Sequence, residues 1–136
     1  MKKALLCLAA AAALCAACQE SLEDKCAREA EEYTRKKCPA PIGQNMTIDS
    51  LTFDRATHTL HYHYTLSGAA DNAELLRNSD AGNMLLNEIK NATSVKDYKD
   101  AGYNFAYTYR SAKEPGKVLY EATFTRKDYA EGGAAE

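Results

Sequence analysis

Tryptophan is absent from this chain, histidine and proline each occur three times, and no apolar run approaches the roughly 20 residues a helix needs to cross a bilayer. Nor is there any excess of positive charge: 17 Lys and Arg face 19 Asp and Glu, for a net charge of −2. That balance excludes the basic stripe by which nucleic-acid binders displace counterions. Catalytic signatures are missing too. Ser50, Ser67, Ser79, Ser94 and Ser111 lie in no Gly-x-Ser-x-Gly elbow, and no glycine-rich loop is built to cradle a phosphate. The cysteines lack the Cys-x-x-Cys spacing of a redox enzyme. Paired carboxylates such as Glu31 with Glu32, or Asp97 with Asp100, read as ordinary solvated charges on helices. No internal repeat is visible. Apart from the histidines considered below, the sequence offers no catalytic motif and calls for no cofactor.

What is present begins with a targeting segment. Lys2 and Lys3 form a positive start, and Ala4–Ala17 is an unbroken apolar run, too short to span a membrane and of the right length for a secretory signal. Ala16-Ala17 then lead into Cys18, followed at once by Gln19-Glu20. This arrangement resembles a bacterial lipoprotein signal, in which the cysteine becomes the acylated first residue; Cys15 stands where such signals usually carry Leu. The resemblance implies lipidation of Cys18 and a domain tethered to the membrane rather than spanning it. Gln19 implies, by the same likeness, sorting to the outer membrane of the bacterial envelope, facing either the periplasm or the surface. Residues 1–17 are thus read as a signal peptide, 18–127 as one envelope domain and 128–136 as a frayed tail. Loss of the first 17 residues removes two lysines and no acids, so the net charge moves from −2 to −4, and about 119 residues remain, enough for one small domain.

Cys26 and Cys38 are the thiols left in the body of the chain. An exported protein invites a disulfide, but if Ser21–Lys37 is one helix the two lie roughly 18 Å apart, well beyond the about 7 Å a disulfide tolerates. Buried free thiols, an early helix end, or pairing between chains all remain open.

Along the chain, Ser21-Leu22-Glu23-Asp24 reads as a helix start, with Leu22, Cys26, Ala30 and Tyr33 on one stripe, acids early and Arg35, Lys36 and Lys37 late. Cys38-Pro39 ends it. Met46–Phe53 and Thr59–Leu66 read as two strands; a bulge near Asp49-Ser50 would bring Met46 and Ile48 into phase with Leu51 and Phe53. Asp71–Asn91 is helical in pattern, with a break near Ser79-Asp80, and Val95–Ala101 is a further short turn stopped by Gly102. Tyr103–Arg110 and Val118–Thr125 alternate with period two around the turn Glu114-Pro115-Gly116-Lys117 and form a second hairpin with an aromatic face. The expected fold is a two-layer α+β domain in the order α-β-β-α-β-β: an antiparallel four-stranded sheet made of two hairpins, with two main helices on one face. The other face would carry Thr59, His61, His63, Thr65 and part of the tyrosine set.

The order of Cys38-Pro39, Leu60-His61-Tyr62-His63-Tyr64-Thr65-Leu66, Tyr98-Lys99-x-x-Gly102-x-x-Phe105-x-Tyr107-x-Tyr109-Arg110 and Ala122-Thr123-Phe124-Thr125 with Asp128-Tyr129 resembles a family of small, functionally uncharacterised bacterial exported proteins and lipoproteins. The resemblance covers most of residues 20–129. It implies the fold and the location and brings no established activity or cofactor.

Two candidate sites follow. Nine tyrosines exceed what four short strands need to hide, and Tyr is enriched at interfaces; Tyr103, Tyr107, Tyr109 and Tyr120 form a candidate binding face for a protein, peptide or small ligand. His61 and His63 share a strand face, about 6.6 Å apart at the backbone, with His58 near and Asp49 and Asp54 as the obvious further donors. A zinc site wants three or four ligands, and a solvated polar face accepts His as readily as Thr. A binding module or inhibitor is the leading expectation, with a subunit of an envelope assembly complex and a metal-binding protein or enzyme as alternatives.

Overall fold

The structure is a computed structural model and describes residues 19–130; Cys18 and the signal segment before it lie outside the described residues. Helix α1 spans Leu22–Lys37. The Ser21 side chain accepts from the Asp24 N–H at 3.1 Å, acids occupy the first turn and Arg35, Lys36 and Lys37 the last, so both ends complement the helix dipole. Cys26 and Ala30 are its buried residues.

After the two-residue strand β1 (Ala40–Pro41), the long strands β2 (Met46–Asp54) and β3 (Thr59–Leu66) pair antiparallel, with the register shifting between Ile48 and Ser50. That bulge brings Met46 and Ile48 onto the same face as Leu51 and Phe53. α1 packs on β2. Beyond β1 the outer edge of β2 is partly closed by Thr34, whose hydroxyl accepts from the Leu51 N–H and donates to the Leu51 carbonyl, both at 2.8 Å.

Residues 67–103 cross back over the sheet. They contain a 3-10 turn at Gly68–Ala70, α2 (Ala73–Asn78), α3 (Ala81–Asn91) and α4 (Lys96–Asp100). The Asn72 side chain caps α2 by accepting from Glu74 and Leu75. The crossover delivers β4 (Asn104–Ser111) beside β3 and parallel to it, from Thr59 opposite Asn104 to Leu66 opposite Ser111. β5 (Val118–Phe124) returns antiparallel to β4, and the short α5 (Arg126–Tyr129) closes the described chain.

The sheet is therefore five-stranded and mixed, in the order β1-β2-β3-β4-β5. This corrects the expected antiparallel four-stranded sheet and its α-β-β-α-β-β order. The physical reason is the length of the crossover: a tight turn can only reverse a strand, whereas a connection with helices in it carries the chain back to start a parallel neighbour. The tail also changes. Asp128 completes a capping box with Thr125, and Tyr129 is buried against the core, its hydroxyl donating to the Tyr103 carbonyl at 2.8 Å and to the Lys99 carbonyl at 3.3 Å.

The core lies on one face of the sheet, where Leu60, Phe105 and Tyr107 meet Cys26 and Ala30 of α1, Leu85 and Ile89 of α3, Tyr98 of α4 and Tyr129 of α5. Tyr62, Tyr64, Tyr109 and Tyr120 pack against this same cluster, so the tyrosine set sits on the helix side and the polar face keeps none of these four.

Candidate functional site

β3 and β4 carry a two-rung aromatic ladder. Tyr62 stacks on Tyr107 with ring centroids 5.0 Å apart, and Tyr64 on Tyr109 at 4.8 Å. Parallel pairing places these residues directly opposite one another, and the in-register backbone makes the stacks. The candidate tyrosines separate in their environments. Tyr103 and Tyr107 are buried and belong to the core, while Tyr109 and Tyr120 are half-buried and line open space.

That space is a trough. Its wide end is a cavity of ≈ 390 Å³, walled by Ile42 and Met46 on one side, by Leu75, Leu76, Met84 and Leu85 on the other, and lined by Tyr64, Leu66, Tyr109 and Tyr120. Four large hydrophobics are exposed among the described residues, and three of them, Ile42 (40%), Leu75 (56%) and Met84 (63%), stand at this cavity. A second hollow of ≈ 160 Å³ shares Tyr64 and Glu88 with it. A third of ≈ 330 Å³ shares Tyr62, Ser94 and Val95 with the second and is lined by Cys26, Glu29 and Tyr33 of α1 and by Tyr98. Leu60, Tyr62, Tyr64 and Leu66, the core-facing residues of β3, floor the three in succession, a run of about 20 Å at the rise of a strand. Burial pushes the Tyr64 phenol up to about 12, with Glu88 contributing, and raises Tyr109 for the same reasons. These hydroxyls remain neutral donors at physiological pH. Gly82, at the start of α3, lies against the Tyr120 hydroxyl, where a Cβ would come within 3.1 Å.

The family described as a domain of unknown function, DUF8479, matches residues 21–120. The chain belongs to that family. No curated protein matches it. Among solved structures it is similar to a Pseudomonas aeruginosa protein described as secreted, with a TM-score of 0.62 and 15% identity over 82% of this chain and 99% of that one. It is also similar to two pilotins of type II secretion systems, EpsS from Vibrio vulnificus (TM-score 0.57, 12% identity) and AspS from Vibrio cholerae (TM-score 0.54, 14% identity), each over 79% of this chain and 91% of the other. At such identities the likeness is one of fold.

The opposite face of the sheet holds the histidine pair. His61 and His63 stack with centroids 3.9 Å apart. Arg110 Nη1 donates to His63 Nδ1 at 3.2 Å, which leaves the proton on Nε2, 3.1 Å from Thr52 Oγ1. His61 Nε2 lies 2.7 Å from Thr108 Oγ1. Desolvation, with His61 and Arg110 adding to it, pushes His63 down to about 4; desolvation and Arg110 lower His61 as well. Asp49 is turned to Thr65, and Asp54 to the backbone of its own turn. His58 is engaged with Glu23 of α1 and stacked on Tyr103. Among the described residues no group of three His, Cys, Asp or Glu is placed to hold a metal ion.

Both remaining cysteines are free, Cys26 buried and Cys38 partly exposed. Burial pushes the Cys26 thiol up to about 11, with Glu29 adding to the effect. Among the described residues no helix is long and apolar enough to cross a membrane. The sequence reading missed Ile42, Leu75, Met84 and Glu88 as site residues. The available signal was Leu75, Leu76 and Met84 together, which make a wider apolar stripe than α2 and α3 need to cover one strand.

Proposed function

We propose that this chain is a lipid-anchored protein of the bacterial cell envelope, tethered through Cys18, which binds a segment of a partner polypeptide in its tyrosine-floored trough and serves an envelope assembly without catalysis. The observation that carries this reading is the convergence of Ile42, Leu75 and Met84, three of the four large hydrophobics exposed among the described residues, on one cavity. Exposed apolar side chains gathered at a concavity mark a docking site. The fold shared with the type II secretion pilotins supports an assembly role, and the resemblance of the N-terminus to a lipoprotein signal supports the envelope location.

The anchor and the trough suit one another. Glu23 and Asp24, at the N-terminal end of α1, are tied to His58 and Arg55 of the β2–β3 turn. The wide cavity lies at the other end of the same strands, beside Met46 and Leu66. α1 spans about 24 Å between these ends, which sets the cavity about that far from the helix end nearest the proposed anchor.

A photo-crosslinking amino acid placed at Leu75 or Met84 in living cells tests the reading. One discrete protein adduct from these positions, and none from Thr123 on the opposite face, is expected. Absence of any adduct, or the same adducts from Thr123, would refute it. Mass spectrometry of the N-terminal peptide from the same sample decides whether Cys18 is acylated.

A further inference from the structure

The two charged residues that line the three cavities are both acidic. Glu29 stands in the third cavity and Glu88 where the middle hollow meets the wide end, and no Lys, Arg or His lines any of the three cavities. Neither carboxylate has a basic partner among the described residues: Glu29 accepts from the Tyr98 hydroxyl at 2.6 Å, and Glu88 enters no ion pair. The nearby lysines are occupied elsewhere. Lys25 pairs with Asp97 at 3.1 Å, and Lys99 donates to the Ile89 and Lys90 carbonyls that end α3.

The rest of the lining is apolar surface and phenol. Both carboxylates are exposed in the trough, so an occupant that covers Glu29 or Glu88 with an uncharged group loses their hydration with no return, whereas one that brings a cation forms a charge-assisted pair with them. Lys25 stands 5.9 Å over the Tyr98 ring and Lys37 5.7 Å over Tyr33, so those two phenol faces already hold cations of this chain and the preference rests on the carboxylates.

Resting on the proposed role of the trough, we infer that its partner is an apolar polypeptide segment carrying Lys or Arg side chains, held by Glu29 and Glu88 while its apolar residues lie over Tyr62, Tyr64 and Met84. A floor of about 20 Å accommodates roughly 13 residues of helix or six of strand. An acidic segment of equal hydrophobicity binds more weakly, since its charges meet those of Glu29 and Glu88 and find no cation there.

Three fluorescent 14-residue peptides with the same Leu, Phe and Ala positions, differing only in having Lys, Gln or Glu at the remaining ones, test this by anisotropy against the full chain in lipid nanodiscs. The Lys peptide is expected to bind at least tenfold more tightly than the Gln peptide, and the Glu peptide more weakly than both. Glu29→Gln with Glu88→Gln brings Lys and Gln peptides within about twofold, whereas Glu121→Gln on the opposite face leaves the preference intact. Gln keeps the acceptor for the Tyr98 hydroxyl, so the double variant retains that contact. Equal binding of all three peptides, weakened throughout by Met84→Ser, would overturn the charge selectivity and leave the trough as a docking site. No binding, binding indifferent to Met84→Ser, or a stable dimer that excludes every peptide would overturn both readings.

Discussion

The tyrosine layer is closed at one end and open at the other. At the closed end Tyr98 and Tyr103 stack 5.6 Å apart, Phe105 meets the edge of Tyr129, and α4 and α5 lie over them. Phe105 is fully buried there, and the Tyr129 hydroxyl is spent on two carbonyls. At the open end the Tyr64–Tyr109 rung and Tyr120 have α2 and α3 beside them and Ile42 across a gap. The same residue type in the same sheet thus fastens the fold in one place and leaves surface in the other. What differs is the helix above, not the strand beneath.

Substitutions separate the two ends, and the largest effect belongs to the closed one. Phe105→Ala is expected to cost about 3–5 kcal/mol of stability, because it removes a fully buried ring from the core; denaturant unfolding measures it, and a cost under about 1 kcal/mol would remove the claim that this end is the foundation. Tyr129→Phe keeps the ring and loses the hydroxyl, so a loss of about 1 kcal/mol is expected by the same measurement. An unchanged midpoint would mean that α5 merely rests on the core.

The polar face adds a pH dependence on the acid side of neutrality, where the raised phenols of the tyrosine face stay neutral. His63 is held below its ordinary value, to about 4, so the unfolded chain binds its proton first. Its contribution is therefore whole above about pH 6.5, and is lost as pH falls towards 4. Thermal unfolding between pH 7 and 4 should show a falling midpoint that His63→Gln flattens; parallel curves for both proteins would count against the assignment. At the open end, Leu75→Ser and Met84→Ser should each change stability by under about 0.5 kcal/mol while abolishing crosslinks to the partner. A cost above about 2 kcal/mol would make those side chains core residues and close the comparison.

The local pattern of the chain determined much of what was built. Alternation in Leu60–Leu66 and Tyr103–Arg110 marks the strand segments, the phase break at Asp49-Ser50 marks the bulge, and Ser21 with the Cys38-Pro39 stop marks the limits of α1. These features depend on residues within a few positions of each other, where sterics and capping act. Parallel pairing of β3 with β4 does not, because one period-two face reads identically whether its neighbour runs up or down. Nor does the fate of each tyrosine. Tyr103 and Tyr109 stand on the same face of the same hairpin, yet Tyr103 is roofed by Tyr98 of α4 and Tyr109 opens on a groove. Glu88 gains its meaning in the same way, since only the crossover brings it beside Tyr64. The sequence by itself determined which residues are aromatic, apolar or acidic and which way each side chain alternates; the path of residues 67–103 over the sheet decided which of them are covered, because burial is a property of what the chain brings back from far away.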